Sequence, residues 1–240
     1  MATLETFPED WQTALCVAAH PDDLEYGIAA AVARWTAQGK TVTYLLATRG
    51  EAGIDGMHPD EAAPVREQEE REGAAVVGVD AVEFLGLTDG TVEYGLPLRR
   101  ALAGEIRRRR PDVVLAGTYR ETFAGGGLNQ ADHRAVGLAT LDACADAGNR
   151  WIFTDLLDAG LEPWSGVRWL AFAGSPEPSH AVDVSDTFES GVASLEAHRR
   201  YLDALGPEYP TPRRLLEMIL GSQDDPELGE HTLRLEAHQR

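Results

Sequence analysis

The chain has 240 residues, 43% of them hydrophobic and 25% charged, a composition typical of a folded globular protein and not of a disordered or collagen-like chain. Its 21 Lys and Arg against 40 Asp and Glu give a formal net charge of −19, which repels phosphate backbones and anionic lipid, so we expect neither nucleic acid nor a membrane surface as a partner. The sequence shows no secretory signal pattern and no run approaching the roughly 18 apolar residues of a spanning helix, so we expect a cytoplasmic protein.

Short apolar runs alternate with amphipathic stretches along the chain. Runs at residues 14–19, 42–47, 82–85 and 113–117 are typical of strands buried on both faces, and the stretches at 24–38, 61–77 and 98–110 have helical periodicity. This order predicts a parallel sheet covered by helices. Further on, the sequence predicts a helix from about 132 to 147, strands at 167–173 and 181–184, a helix at 186–205 and a Pro-rich break at 206–212. We expect a single domain over residues 1–240, with the segment from about 207 to 240 packed on it.

The chain must turn directly after the first predicted strand. Pro21 cannot donate to a strand ladder and keeps His20 out of the helical region, so the strand ends there. The turn exposes His20, Asp22 and Asp23. His20 and Asp23 could both reach one cation, which leaves Asp22 free to face a cation-bound water and take its proton. The alternative is that Asp22 or Asp23 simply caps the following helix, a common role of aspartate.

The fourth predicted strand is followed by a loop at residues 118–131 and a second group of polar side chains. Asp132 is well placed to begin the next helix, which puts His133 in its first turn. Because ligands bind at the carboxyl ends of parallel strands, we expect His133 to face the same edge of the sheet as His20. Two histidines and one aspartate form a site with room for water, as catalytic zinc sites require. Taken separately, Asp132 could be only a helix cap and His133 only a structural histidine.

Six short segments follow one another in a specific order. They are Ala-His-Pro-Asp-Asp at 19–23, Thr-Arg-Gly-Glu-Ala-Gly at 48–53, Arg-Glu with a further Glu at 66–69, Phe-Leu-Gly with Asp-Gly at 84–90, Asp-His-Arg-Ala-Val-Gly at 132–137 and Val-Asp-Val-Ser at 182–185. In this order the chain resembles the LmbE-like or PIG-L N-deacetylases, which include N-acetylglucosaminyl-phosphatidylinositol deacetylases and enzymes of the mycothiol and bacillithiol pathways. The resemblance implies a Rossmann-like α/β fold, with a mostly parallel sheet and helices on both faces.

The resemblance also implies a reaction, a cofactor and a site. The implied reaction removes an acetyl or similar acyl group from the amide nitrogen of an amino sugar or a related small molecule. The implied cofactor is Zn²⁺, with Fe²⁺ or another divalent ion as the alternative. Its implied ligands are His20, Asp23 and His133, with Asp22 as the general base. The residues implied to line the substrate pocket are Glu51, Arg66 and Asp89.

One position departs from the family pattern. Gln130 stands where most members have a histidine that stabilises the oxyanion or protonates the leaving amine, and glutamine can donate a hydrogen bond but cannot deliver a proton. The amine is therefore expected to be protonated by Asp22 after it has taken the proton of the water, by Tyr119, or by a histidine of the C-terminal region. Gln130 and Tyr119 are candidate donors to the oxyanion. Asp132 is expected to orient His133 or to hold Asp22 in place.

Two other functions stay open at this level. A protein that kept the metal and lost its proton donor at Gln130 would be a sugar- or metabolite-binding module of the same fold. The same two histidines and one carboxylate could hold Fe(II) for oxygen chemistry, although the order of the motifs argues for hydrolysis. The other five histidines, His198 among them, are expected to be surface or hydrogen-bonded core side chains. The oligomeric state is open between a monomer and a homo-oligomer.

Overall fold

The strands pair into one mixed sheet in the computed structural model, which describes residues 3–221 and 229–240. They are β1 (Glu5–Thr6), β2 (Thr13–Ala18), β3 (Thr41–Thr48), β4 (Ala81–Leu87), β5 (Val113–Gly117), β6 (Trp169–Ala173), β7 (His180–Asp183) and β8 (Thr232–Gln239). Within the described residues their order is β1-β7-β8-β6-β5-β2-β3-β4. Among these strands of the described residues, β8 alone pairs antiparallel, with β6 on one side and β7 on the other. The predicted α/β fold with a mostly parallel sheet is therefore confirmed.

Helices cover both faces of this sheet. They are α1 (Ile28–Ala37), α2 (Pro59–Val76), α3 (Leu96–Arg109), α4 (Ala131–Gly148), α5 (Asp155–Asp158), α6 (Phe188–Glu196), α7 (Arg199–Leu205) and α8 (Pro212–Leu220). One core contains residues of α1, α2, α6 and α8, and the other contains residues of α3, α4 and α5. Along β2, Cys16 packs into the first core and its neighbours Leu15 and Val17 into the second. Because successive side chains of β2 enter opposite cores, the strand predicted at residues 14–19 is apolar on both faces.

The order in which the chain adds strands to the sheet changes direction between β2 and β5. From β2 the chain adds β3 and β4 on one side, and then adds β5 and β6 on the other. At such a reversal the connections after two neighbouring parallel strands leave in opposite directions and open a crevice at their carboxyl ends. The segments at residues 19–27 and 118–130 border this crevice, so the fold places both predicted site segments beside each other.

Three predicted elements differ from the structure. The helix predicted at 24–38 begins only at Ile28, because residues 21–27 form turns. The helix predicted at 186–205 is interrupted, since His198 lies between α6 and α7 with a non-helical ψ of 49°. Part of the C-terminal segment forms β8, inside the sheet between β6 and β7. Residues 222–228 of that segment lie outside the described residues, and the extent of the single domain stays a prediction. No helix in the described part of the chain has both the length and the apolarity needed to cross a bilayer.

Gly137 allows α4 to approach the end of β5, and its replacement tests how tightly the site helix is seated. A Cβ atom at Gly137 would lie 2.7 Å from the carbonyl oxygen of Gly117. We expect Gly137→Ala to lower the free energy of unfolding by about 1–3 kcal/mol, because an added methyl group in a packed contact forces backbone shifts. Urea unfolding measures this change.

Gly104→Ala in α3 is the matched control for this substitution. Its Cβ would meet the Leu156 side chain at an ordinary 3.4 Å. Replacing a glycine inside a helix with alanine then stabilises by about 0.5–1 kcal/mol, because the unfolded chain loses conformational freedom. If Gly137→Ala were as stable as the wild type, α4 would not depend on this close approach.

Candidate functional site

The turn after β2 has an unusual backbone conformation at Asp22. Its φ of 88° lies in the left-handed region, which is uncommon for a residue other than glycine. The Asp22 N–H donates to Glu70 Oε2 at 3.0 Å, and Asp22 Oδ1 accepts a hydrogen bond from Arg66 at 3.0 Å. Arg66 also donates to the Pro21 carbonyl oxygen. Glu70 and Arg66 both belong to α2, so that helix fixes the shape of the turn.

His20, Asp23 and His133 meet at the carboxyl edge of the sheet, and we call these three residues the ligand cluster. His133 Nε2 lies 3.2 Å from His20 Nδ1 and 3.1 Å from Asp23 Oδ1. His20 Nδ1 lies 3.6 Å from Asp23 Oδ2. One donor atom of each side chain falls within 4.8 Å of the others, so one metal ion could contact all three. The fold therefore brings together side chains that are 113 positions apart in the chain.

The second ring nitrogen of each histidine has its own partner. His20 Nε2 lies 3.1 Å from Asp89 Oδ1 and 3.3 Å from Asp132 Oδ2. His133 Nδ1 lies 3.0 Å from Asn129 Oδ1. An N–H on each of these nitrogens leaves a lone pair on the other nitrogen, which faces the cluster, as is usual for metal-binding histidines.

Two of these partners differ from the sequence-based expectations. Asp132 was expected to orient His133 or to hold Asp22, but its carboxylate contacts His20 and accepts the N–H groups of Gly90 and Val92. Asn129 takes the place beside His133 and was not predicted. Asn129 precedes the N-cap residue of α4, so helical spacing gave no signal for this contact.

The charges around the ligand cluster favour a cation. Burial acts to lower the pKa of His20, but the Asp23 and Asp89 carboxylates raise it to about 11. Burial acts to raise the pKa of Asp23, yet the facing His133 and His20 rings hold it well below its ordinary value. Negative charge thus surrounds the histidine nitrogens, and a divalent ion would satisfy the same carboxylates.

Asp22 stands beside the ligand cluster with one free oxygen. The residue is 3% exposed, and its Oδ2 atom makes no hydrogen bond within the described residues. Burial raises the pKa of the carboxyl group to about 6, although the Arg66 guanidinium acts to lower it. A buried carboxylate with one oxygen held by arginine and the other oxygen without a partner is a candidate general base.

Three side chains implied to line the substrate pocket contact other parts of the protein. Glu51 Oε1 accepts the N–H of Asp89 at 2.9 Å, so it braces the turn that carries Asp89. Asp89 Oδ2 accepts the N–H of Ala52 at 2.8 Å, and its other oxygen contacts His20. Arg66 is 2% exposed, and its guanidinium stacks 3.6 Å from the centre of the Tyr201 ring. Arg66 thus lies behind the turn and not on an open surface.

The two candidate donors to the oxyanion differ in whether their side chains already form hydrogen bonds within the protein. The Tyr119 hydroxyl donates to Glu236 Oε1 at 3.3 Å, and Arg120 holds the same carboxylate. Gln130 is exposed at the N-terminus of α4, where its side chain forms no capping hydrogen bond. Of the two, only Gln130 keeps a side-chain donor that no described residue uses.

Comparisons with known proteins give one matching family and several similar proteins. The profile of the family described as PIG-L, GlcNAc-PI de-N-acetylase, matches residues 15–144, which contain the whole ligand cluster and Asp22. The chain is similar to the diacetylchitobiose deacetylase of Thermococcus kodakarensis, at 31% identity over 79% of this chain and 70% of that protein. It is also similar to the 1D-myo-inositol 2-acetamido-2-deoxy-alpha-D-glucopyranoside deacetylase of Mycobacterium leprae, at 28% identity over 83% of this chain and 68% of that protein.

Among solved structures, the fold is similar to that of the N,N'-diacetylchitobiose deacetylase from Pyrococcus horikoshii. The TM-score is 0.84 at 23% sequence identity, and the similarity covers 96% of this chain and 85% of that chain. At this level of identity the likeness concerns the fold alone, and it extends over nearly the whole described chain.

The contact between Asn129 and His133 predicts how strongly the cluster holds a divalent ion. We expect Asn129→Leu to weaken the binding of Zn²⁺ by about 10–100-fold, because His133 loses the acceptor that orients its ring. Competition with a chromogenic chelator measures this affinity. Leu128→Ala is the matched control, since Leu128 is the neighbouring residue and is 85% exposed. Unchanged affinity in Asn129→Leu would mean that the ring is held by the other contacts of α4.

Proposed function

The chain belongs to the PIG-L family of GlcNAc-PI de-N-acetylases, and from this membership we propose that it is a metal-dependent hydrolase that removes the acetyl group from an N-acetylated amino sugar. The observation that carries the proposal is the ligand cluster, together with the adjacent residue Asp22, whose Oδ2 atom is buried without a hydrogen-bond partner among the described residues. The substrate class rests on the names of the relatives, which describe deacetylases of a chitobiose and of a glucosaminyl inositol. A small soluble sugar also suits a chain whose net charge of −19 disfavours anionic partners.

The ligand cluster fits a divalent ion of the first transition series, and we propose Zn²⁺. Two imidazole nitrogens and one carboxylate oxygen are a common set for catalytic zinc, and they leave a coordination position free for water. His20 and His133 both keep their second nitrogen on a hydrogen-bond acceptor, which supports this reading. When bound, such an ion supplies polarisation of the amide carbonyl and a water whose pKa falls from 15.7 toward about 7.

Asp22 is the group that we propose for the proton transfers. Its free Oδ2 accepts the proton of the attacking water, while Arg66 and Glu70 hold the rest of the residue still. The same carboxyl group then returns the proton to the leaving amine. Gln130 has no acidic proton, and the Tyr119 hydroxyl is engaged with Glu236, so neither replaces Asp22 in this step.

The remaining predicted residues have different roles in the proposed reaction. We propose that Gln130, with its exposed amide, donates to the oxyanion or to the substrate. Asp132 and Asp89 orient His20, and Glu51 fixes the turn of Asp89. Arg66 acts through Asp22. The substrate contacts implied for Glu51, Arg66 and Asp89 are in this proposal replaced by roles in positioning.

Asp22→Asn tests the base. We expect the rate of acetate release from N,N'-diacetylchitobiose or a related N-acetyl sugar to fall by about 10²–10⁴-fold, because asparagine cannot take the proton of the water. Metal content should equal that of the wild type, since the ligand cluster is untouched. Asp80→Asn is the matched control at an exposed aspartate and should keep the wild-type rate. A rate near wild type in Asp22→Asn would show that another group is the base.

Removal of the metal tests the cofactor and separates hydrolysis from the other functions. Dialysis against a strong chelator should abolish acetate release, and stoichiometric Zn²⁺ should restore it. Working enzymes turn over about 1–1000 times per second, so a panel of N-acetyl sugars should contain a substrate in this range. Binding of a sugar without any acetate release would instead support the binding module. Oxygen consumption by the Fe²⁺-loaded protein would support oxygen chemistry.

A further inference from the structure

A second group of metal-ligating side chains lies beneath the turn that carries Asp22. Glu25 follows that turn, Glu70 belongs to α2, and His198 occupies the break between α6 and α7. We call these three residues the inner cluster. Each of them is 0% exposed. His198 was expected to be a surface or hydrogen-bonded histidine, and the structure shows neither, since both of its ring nitrogens are buried without a hydrogen-bond partner in the described residues.

The hydrogen bonds of the inner cluster leave several of its polar atoms unused. Glu25 Oε1 accepts the Ser194 hydroxyl at 3.1 Å, and Glu70 Oε2 accepts the Asp22 N–H at 3.0 Å. Glu25 Oε2 and Glu70 Oε1 have no hydrogen-bond partner in the described part of the chain. The ion pairs of both carboxylates there involve only His198, and no arginine or lysine reaches them. Two buried carboxylates without a cation or a full set of donors carry a large desolvation cost.

The distances within the inner cluster are those of ligands around an ion. His198 Nε2 lies 3.7 Å from Glu25 Oε2 and 3.8 Å from Glu70 Oε2, which is too long for hydrogen bonds. Two ligands that are each about 2.0–2.2 Å from a zinc ion, at an angle of about 110–120°, lie about 3.3–3.8 Å apart. One donor atom of each of the three residues falls within 4.8 Å of the others.

We propose that the inner cluster binds a second divalent transition-metal ion, held by Glu25, Glu70 and His198. The two negative carboxylates and the neutral imidazole balance the charge of one such ion, so the buried group as a whole becomes neutral. The ion uses the unpartnered atoms of Glu25 and His198 as ligands. Imidazole and carboxylate together suit zinc, manganese or ferrous iron.

Gly73 provides an independent observation at the same place. It lies inside α2, where glycine costs about 0.5–1 kcal/mol relative to alanine. A Cβ atom there would lie 3.2 Å from His198 Nε2, 3.3 Å from Glu25 Oε1 and 3.0 Å from the Ser194 carbonyl oxygen. The missing side chain thus lets the inner cluster and the Ser194 backbone lie directly against α2.

The ion at the inner cluster has a structural role. The cluster is sealed from solvent, so neither a substrate nor an exchanging water reaches it. Glu70, one of its ligands, accepts the N–H of Asp22, whose φ of 88° needs support from its surroundings. An ion that fixes Glu70 therefore also fixes the turn on which Asp22 and the ligand cluster stand.

Metal analysis of the wild type and three variants, each equilibrated with Zn²⁺ and then desalted, tests the proposal. We expect two zinc ions per chain in the wild type, one in His133→Ala and one in His198→Ala. His231→Ala is the matched control, because His231 is a partly buried histidine stacked on Phe188 at 3.7 Å, and it should retain two. One ion in the wild type and none in His133→Ala would overturn the proposal, as would two ions in His198→Ala.

Diffraction from wild-type crystals at the zinc absorption edge gives the same answer without any substitution, in case His198→Ala does not fold. Anomalous peaks at both clusters are expected, and a peak at the ligand cluster alone would overturn the proposal. The two proposals can fail separately. An inner-cluster peak in a protein that releases no acetate would refute the proposed reaction only, and acetate release with one peak at the ligand cluster would refute the inner site only.

Discussion

The site depends on a backbone conformation that the turn does not favour by itself. A residue other than glycine in the left-handed region costs of the order of 1–3 kcal/mol, and Asp22 is such a residue. Three hydrogen bonds hold it: its N–H reaches Glu70, its Oδ1 accepts from Arg66, and its carbonyl oxygen accepts the N–H of Glu25 at 3.0 Å. The direction of the Asp22 carboxylate is therefore set by the buried Arg66 and Glu70 side chains of α2.

The reversal of the sheet between β2 and β5 determines which segments meet at that turn. It places the start of α4 beside His20. Asp132, in the first turn of α4, connects the segment that follows β4 to the site. Gly90 and Val92, which follow β4, donate to the Asp132 carboxylate at 2.8 and 3.1 Å. Asp132 thus connects the exits of β2, β4 and β5, and the contact of Asp89 with His20 follows from that connection.

The sequence predicted the parts of this structure that depend on local pattern. The strands that became β2, β3 and β5 are apolar runs buried on both faces, and Pro21 marks the end of the first of them. β8 was missed because its place between β6 and β7 depends on partners far away in the chain, and amphipathic pattern alone does not choose between helix and strand. The helix break at His198 was missed for the same reason, since only the folded chain shows the buried carboxylates that surround it.

The sequence did not predict the side chains that hydrogen-bond to site residues without belonging to the predicted site. Asn129 and Glu70 carry no metal-binding spacing relative to His133 or Asp22, and their roles appear only once distances are known. The substrate contacts implied by the family resemblance stay predictions, and the structure shows only the contacts of these residues with the protein itself. Arg66 and Glu51 were assigned to the substrate, and the structure turns both toward protein partners.

The family pattern that the chain resembles has a histidine at position 130, and Gln130 in its place gives the support of Asp22 a greater weight. A histidine there could deliver a proton to the amine while Asp22 takes the proton of the water. With Gln130, both transfers fall to Asp22 in the proposed reaction, so one carboxyl group must face first the water and then the nitrogen. A side chain fixed by Arg66 has little freedom to turn between them, so the substrate nitrogen must come within reach of the same Oδ2 atom. We therefore expect this chain to select substrates whose amide nitrogen comes within reach of Asp22 Oδ2, because the rigid turn fixes the position of that atom.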